Sequence, residues 1–267
     1  MLQPLIPIGG LAGYNLLKST MPTQRAAFDQ NPRMQRDTEY FAQTIGSITN
    51  AEDMVKDRRL MRVALGAFGL GDDLGNTAFV RKILEDGSEA DDALANRLTD
   101  SRYREIAREF GFGDLLGART GYPGFGDRVA EQFREREFER AVGEQDQAMR
   151  LALNAERALP DMVAEDTSET TKWLQILGNP PLRELFETAL GLPDGFGAVD
   201  LDRQISELTD RSGRQLGLDS LADLAAPEQM DKLIRRFLLR DQVASFSIQQ
   251  AGSAALTLLQ SARQFNA

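Results

Sequence analysis

Residues 60–83, LMRVALGAFGLGDDLGNTAFVRKI, and residues 182–205, LRELFETALGLPDGFGAVDLDRQI, superpose at a constant offset of 122 with eight identities in 24 positions. The shared positions are Leu60/Leu182, Ala67/Ala189, Gly69/Gly191, Leu70/Leu192, Asp72/Asp194, Gly75/Gly197, Arg81/Arg203 and Ile83/Ile205. About two identities would arise by chance at average residue usage. Several mismatches keep their apolar character: Val63/Leu185, Phe68/Leu190, Leu74/Phe196 and Phe79/Leu201. The stretch therefore predicts a duplicated helical module. It fixes an architecture and states no chemistry.

Outward from the repeat, helical punctuation is frequent and strand signals are scarce. Asn31-Pro32 reads as N-cap and first helical position of a helix carrying Tyr40, Phe41 and Ile45, which Gly46 stops. Asn50-Ala51-Glu52-Asp53 resembles a capping box and opens one helix through Met54, Leu60, Val63, Ala64 and Ala67. The next helix carries Phe79, Ile83 and Leu84 and ends at Gly87, and Ser88-Glu89-Ala90-Asp91 restarts the chain as a second box. Tyr103, Ile106, Ala107 and Phe110 then fall on one helical stripe, matched in the second copy by Met230, Leu233, Ile234 and Phe237 if five residues are inserted there.

Residues 111–126, GFGDLLGARTGYPGFG, hold six glycines and a proline and read as a junction between lobes. A charged helix follows, its Phe133, Phe138, Ala141 and Val142 set among mixed charges that suit a solvated face. Asn179-Pro180-Pro181 starts the helix bearing Leu182, Leu185, Phe186 and Ala189. The resulting division is an N-terminal arm over 1–30, a first helical module over 31–110, the junction with its charged helix over 111–145, a second module over 146–240 and a helical tail over 241–267. The arm, broken by Pro4, Pro7, Gly9, Gly10 and Gly13, reads as extended and docked on the body or on a partner, with an unstructured terminus as the bland alternative. It lacks the basic start of a signal peptide and the length of a membrane span. The tail keeps Val243, Phe246, Ala255, Leu258, Leu259, Ala262 and Phe265 at helical spacings, a thin seam suited to packing on another helix.

Composition narrows the function classes. The 41 Asp and Glu outnumber the 31 Lys and Arg, and a net charge of −10 opposes approach to a phosphate backbone or an anionic lipid surface. With no cysteine there is no disulfide framework, in either redox compartment. With no histidine the usual proton shuttle, the common catalytic triads and most zinc sites are gone.

The densest acidic cluster is Glu85, Asp86, Glu89, Asp91 and Asp92. Its functional reading is a magnesium or calcium site, from which a metal-dependent hydrolase using Glu85, Asp86, Asp91 and Asp92 would follow. Its structural reading is a solvated loop with acids gathered at a helix N-terminus, and the spacing departs from the calcium-loop pattern. Gly69, Gly71 and Gly75 imitate a dinucleotide loop but follow a helix where a strand is required, and Pro193 replaces Gly71 in the second copy. A helix cap and a tight turn account for these glycines. Trp173, three and four residues before Ile176 and Leu177, reads as a core anchor, whereas Tyr122 and Phe125 stand in the glycine-rich stretch, where packing under the loop competes with binding. No catalytic, cofactor-binding or metal-binding residue is assigned, and no cofactor is expected.

The blocks RDTEYFAQTIGSI (36–48), VALGAFGL (63–70), AFVRKILEDG (78–87), ANRLTDSRYREIAREFGFG (95–113) and LGNPPLRELFETALGLP (177–193) resemble, in order, the bacterial family catalogued as domain of unknown function 1217. That family is known mainly from alphaproteobacteria, commonly encoded among flagellar genes, and offers no catalytic residues to carry over. The resemblance implies an all-α protein that builds or regulates the flagellum, with another flagellar protein as partner, while the charge and the N-terminal segment speak against nucleic acid and a membrane span. Two versions follow: a non-enzymatic structural component exported to the flagellum, in which Leu2–Leu17 and Val243–Phe265 mediate assembly, or a chaperone or regulator that stays in the cytoplasm.

Overall fold

The structure is a computed structural model that describes residues 3–193 and 195–265, with side chains as far as Phe246. Every regular element among the described residues is helical. Of the tail seam, Ala255, Leu258, Leu259, Ala262 and Phe265 lie beyond the described side chains.

The chain divides into two compact units. The first gathers Leu16–Arg150, Gln175–Pro180 and the N-terminal residues up to Ile6; the second takes Pro7–Asn15, Leu151–Leu174 and the chain from Pro181 onward. The N-terminal segment is not extended. Gly10–Asp29 forms α1, with Pro22 inside it and Tyr14, Leu17 and Phe28 buried. Gly13 and Pro22 each weaken a helix in isolation, and burial of these large side chains, each about 1.5–3 kcal/mol, overrides that propensity.

In the first unit, α2 (Pro32–Thr44) begins as expected, with the Asn31 side chain accepting from the Arg33 N–H at 3.0 Å. The helix predicted from Asn50 through Ala67 is two helices, α3 (Ala51–Lys56) and α4 (Arg58–Ala67). Asp57 separates them because its carboxylate caps the second, accepting from the N–H groups of Arg59 (2.8 Å) and Leu60 (3.1 Å) and from the Tyr40 hydroxyl (2.6 Å). A 3-10 turn over Gly71–Gly75 leads into α5 (Thr77–Asp86), which ends at Gly87 with φ +70°.

The second predicted capping box does not form. The Ser88 N–H and hydroxyl both donate to the buried carboxylate of Asp114, and the chain turns until α6 (Leu94–Arg97), whose first N–H is taken by Asp86 at 3.2 Å. Next, α7 (Arg102–Phe110) buries Ile106, Ala107 and Phe110 and closes on left-handed Gly111.

Residues 111–124 lie within this unit and pack against it: Thr120 donates to the Ile48 carbonyl at 2.6 Å, and a Cβ on Gly113 would stand 2.2 Å from the Glu85 carbonyl. The charged helix α8 (Phe125–Gly143) contacts both α2 and α4. Phe133 and Phe138, five residues apart, are buried on different sides of it, and Glu139 is buried too, 3.9 Å from Arg136. The mixed charges on α8 are thus only partly a solvated face.

In the second unit the core is built by α9 (Gln147–Ala164), α10 (Glu169–Leu177), α11 (Pro180–Leu190), α12 (Leu201–Leu216) and α13 (Pro227–Phe265), the first three of which begin or end in the other unit. Trp173 is 1% exposed and meets Phe186 edge-to-face at 5.3 Å, the anchor its spacing predicted. The Leu233, Ile234, Phe237 and Leu238 stripe of α13 is buried, and the helix continues without a break into the tail.

The two matched stretches carry the same cap. After α4, Gly69 sits at φ +71°, the Gly69 N–H bonds the Gly66 carbonyl (3.0 Å) and the Leu70 N–H bonds that of Leu65 (2.8 Å). After α11, Gly191 sits at φ +63°, the Gly191 N–H bonds the Thr188 carbonyl (3.1 Å) and the Leu192 N–H bonds that of Glu187 (2.9 Å). This is the Schellman arrangement, which needs a left-handed residue where a side chain would strain the backbone. A guanidinium closes each cap, Arg102 on the Gly69 carbonyl and Arg211 on that of Gly191.

Candidate functional site

The acids that suggested a metal site are dispersed or engaged. Glu85 pairs with Arg81 at 3.5 Å, Asp86 with Lys82 at 2.5 Å, and Glu89 accepts from the Leu115 N–H at 2.9 Å, while Asp91 and Asp92 are exposed in the turn before α6. Among the described residues no group of three or more acidic side chains is placed to share a metal ion. The glycine pattern 69–75 is a helix cap followed by a 3-10 turn; Phe125 is buried and Tyr122 exposed.

Two concave surfaces among the described residues bear on a site. In the first unit a cleft of about 280 Å³ is lined by Phe28, Met34 and Phe133 together with Asp37, Arg62 and Arg140. Most of its charges close on one another. Asp37 holds Arg62 at 2.8 Å and Arg59 at 3.3 Å, and Arg140 holds Glu137 at 2.9 Å and Glu144 at 2.6 Å. Such a network fixes α2 to α4 and leaves little polar capacity for a ligand.

The second unit carries a wider groove of about 630 Å³ between Gln215, at the end of α12, and the stretch of α13 from Lys232 to Ala244. Helical spacing brings Lys232, Arg235, Arg236 and Arg240 to it, with Leu239 and Val243 alongside. Three of the cations are tied down: Lys232 donates to the Leu216 carbonyl, Arg236 to the Ala189 carbonyl (2.8 Å) and to Gln215, and Arg235 pairs with Asp231 at 3.2 Å. The Arg240 guanidinium lies over Gly191, occupying the space a side chain there would need, and makes no hydrogen bond or ion pair among the described residues. The carbonyl end of α11 beneath it favours a cation. Burial, and after it the charge of Arg240, pushes the Arg236 pKa below its ordinary value. Leu239, Val243 and Phe246 are 47, 70 and 57% exposed, so α13 carries a second apolar row on the side opposite its buried stripe.

Sequence reading did not single out this groove. Its signal is the placing of cations at i, i+3, i+4 and i+8 on one helix within a chain of net charge −10.

The model of the family described as protein of unknown function, DUF1217, matches residues 67–230, well over half of the chain. The chain belongs to the DUF1217 family. A comparison with curated proteins gives no match. Among solved structures, the crystal structure of a protein from Agrobacterium tumefaciens, a structural-genomics target, is similar to this DUF1217 chain at 28% identity and a TM-score of 0.71, covering 89% of this chain and 97% of that one. Among the described residues of this DUF1217 member no helix is long and apolar enough to cross a membrane.

Proposed function

We propose that this chain is a non-enzymatic interaction protein acting in flagellar assembly or motility, built from a duplicated helical module. The observation that carries the interaction reading is the exposed side of α13, where helical spacing sets Leu239, Val243 and Phe246 in one exposed apolar row on the side opposite the buried Leu233, Ile234, Phe237 and Leu238. Exposed apolar side chains aligned on one helix face serve docking better than catalysis. The flagellar part rests on the family resemblance. The duplication is supported by the common order of elements, α4, 3-10 turn, α5, α6, α7 against α11, 3-10 turn, α12, 3-10 turn, α13, with matching glycine caps.

An in-frame deletion, scored by soft-agar swimming beside its complemented strain, tests the proposal. Restored swimming with the intact gene, and failure to restore it with Val243→Asp, is the expected result. Unchanged swimming of the deletion strain removes the motility role. Cell fractionation then separates an exported component from a cytoplasmic chaperone or regulator.

A further inference from the structure

We infer that the groove between the end of α12 and α13 docks an acidic amphipathic helix of another protein. The inference rests on the interaction reading above and names the chemistry of the partner.

Charge complementarity points to the acid. Lys232, Arg235, Arg236 and Arg240 span eight residues, about 12 Å of helix, and no carboxylate is among the described lining side chains. Arg236 and Arg240 face each other as like charges, the second without a hydrogen bond or ion pair among the described residues. A carboxylate between them would relieve that repulsion and accept from the fork of Arg240.

Apolar exposure points to the helix. Leu239, Val243 and Phe246 lie on the same side of α13 as these cations, so the face from Lys232 to Phe246 runs about 21 Å, four turns, basic toward one end and apolar toward the other. A partner helix of that length, with acids toward one end and apolar residues toward the other, meets both halves. A nucleic acid or an anionic lipid surface would use only the basic half, and would approach a chain of net charge −10.

The test is fluorescence anisotropy of the full-length chain with a labelled peptide of about 18 residues, Leu at i, i+3, i+4 and i+7 and Glu elsewhere, against a twin with Lys for every Glu. The Glu peptide should bind and the twin should not, and binding should weaken several-fold between about 50 and 300 mM salt. Arg240→Glu should weaken it about tenfold, and Val243→Asp by a similar factor. Both residues are exposed, so circular dichroism should show an unchanged fold.

No binding of the Glu peptide at about 100 µM, or equal binding of both peptides, overturns the inference. So does preferential, Arg240-dependent binding of single-stranded DNA or of phosphatidylglycerol vesicles. A wild-type dimer by light scattering that Val243→Asp dissolves would assign the face to a second copy. If Val243→Asp abolishes binding and Arg240→Glu leaves it intact, the interaction reading survives and the acidic partner falls. If neither variant matters, both fall.

Discussion

Asp114 holds the glycine-rich stretch to the first unit, and its removal gives the sharpest stability test. Its side chain is fully buried. The carboxylate accepts from the Ser88 N–H at 2.7 Å and the Ser88 hydroxyl at 3.2 Å, and pairs with Arg119 at 3.2 Å. In Asp114→Ala the Ser88 N–H loses its acceptor, at a cost of about 1–3 kcal/mol. Arg119 loses its counter-charge but is 27% exposed and can re-solvate in part, which reduces the several kcal/mol of a fully buried broken pair to about 1 kcal/mol. The sum, about 2–4 kcal/mol, is a large fraction of a typical domain's stability and corresponds to roughly 6–12 °C in melting temperature. Asp114→Asn keeps an oxygen facing Ser88 and should lose only about 1–2 kcal/mol. Urea titration followed by circular dichroism measures both. A loss below about 1 kcal/mol for Asp114→Ala, the range of ordinary surface substitutions, would refute the reasoning.

Gly113→Ala places a Cβ against the Glu85 carbonyl at 2.2 Å and the Gly87 nitrogen at 2.4 Å, and should cost about 1–3 kcal/mol through backbone displacement, read as a lowered urea midpoint. Trp173→Ala empties the space against Phe186 and should destabilise by about 3–5 kcal/mol, measured by circular dichroism since this is the chain's single tryptophan. Against the opposing pull of burial, the hydrogen bonds from Tyr40 and from the Leu60 and Arg59 N–H groups hold the Asp57 carboxyl below its ordinary pKa. Its contribution is therefore fully present above the unfolded carboxylate value near 3.9 and is lost as pH falls through the lower folded value. The stability advantage of the wild type over Asp57→Asn, measured by urea titration, should hold at pH 6 and shrink below pH 4.

The helical class was legible because its signals are local. Asn31 caps α2, Pro180 begins α11, and Gly69, Gly87 and Gly191 end helices, each through a backbone preference that needs no distant partner. The readings that failed were decided at longer range. Asp57 broke a predicted helix because Tyr40, 17 residues earlier, helps hold its carboxylate in a capping position. The Ser88 N–H, which a capping box would give to the acid three residues on, goes instead to Asp114, 26 residues later. For the site, the sequence offered an acidic cluster whose members are spoken for or exposed, and it passed over the cations of α13, whose spacing is written along one helix but whose groove is completed by Gln215 at the end of α12.

By itself the sequence determined an all-helical chain of the DUF1217 family, several helix boundaries such as Asn31-Pro32, Gly87 and Pro180, and the absence of histidine and cysteine chemistry. Tertiary structure alone decided that the glycine-rich stretch packs into the first unit, that α8 is buried on more than one side, and that Arg240 stands over Gly191 without a counter-ion among the described residues. Helix propensity and capping act within a few residues, so they are written along the chain. Burial and charge pairing depend on which surfaces meet, and that is set by the sum of many weak contacts between residues far apart in sequence.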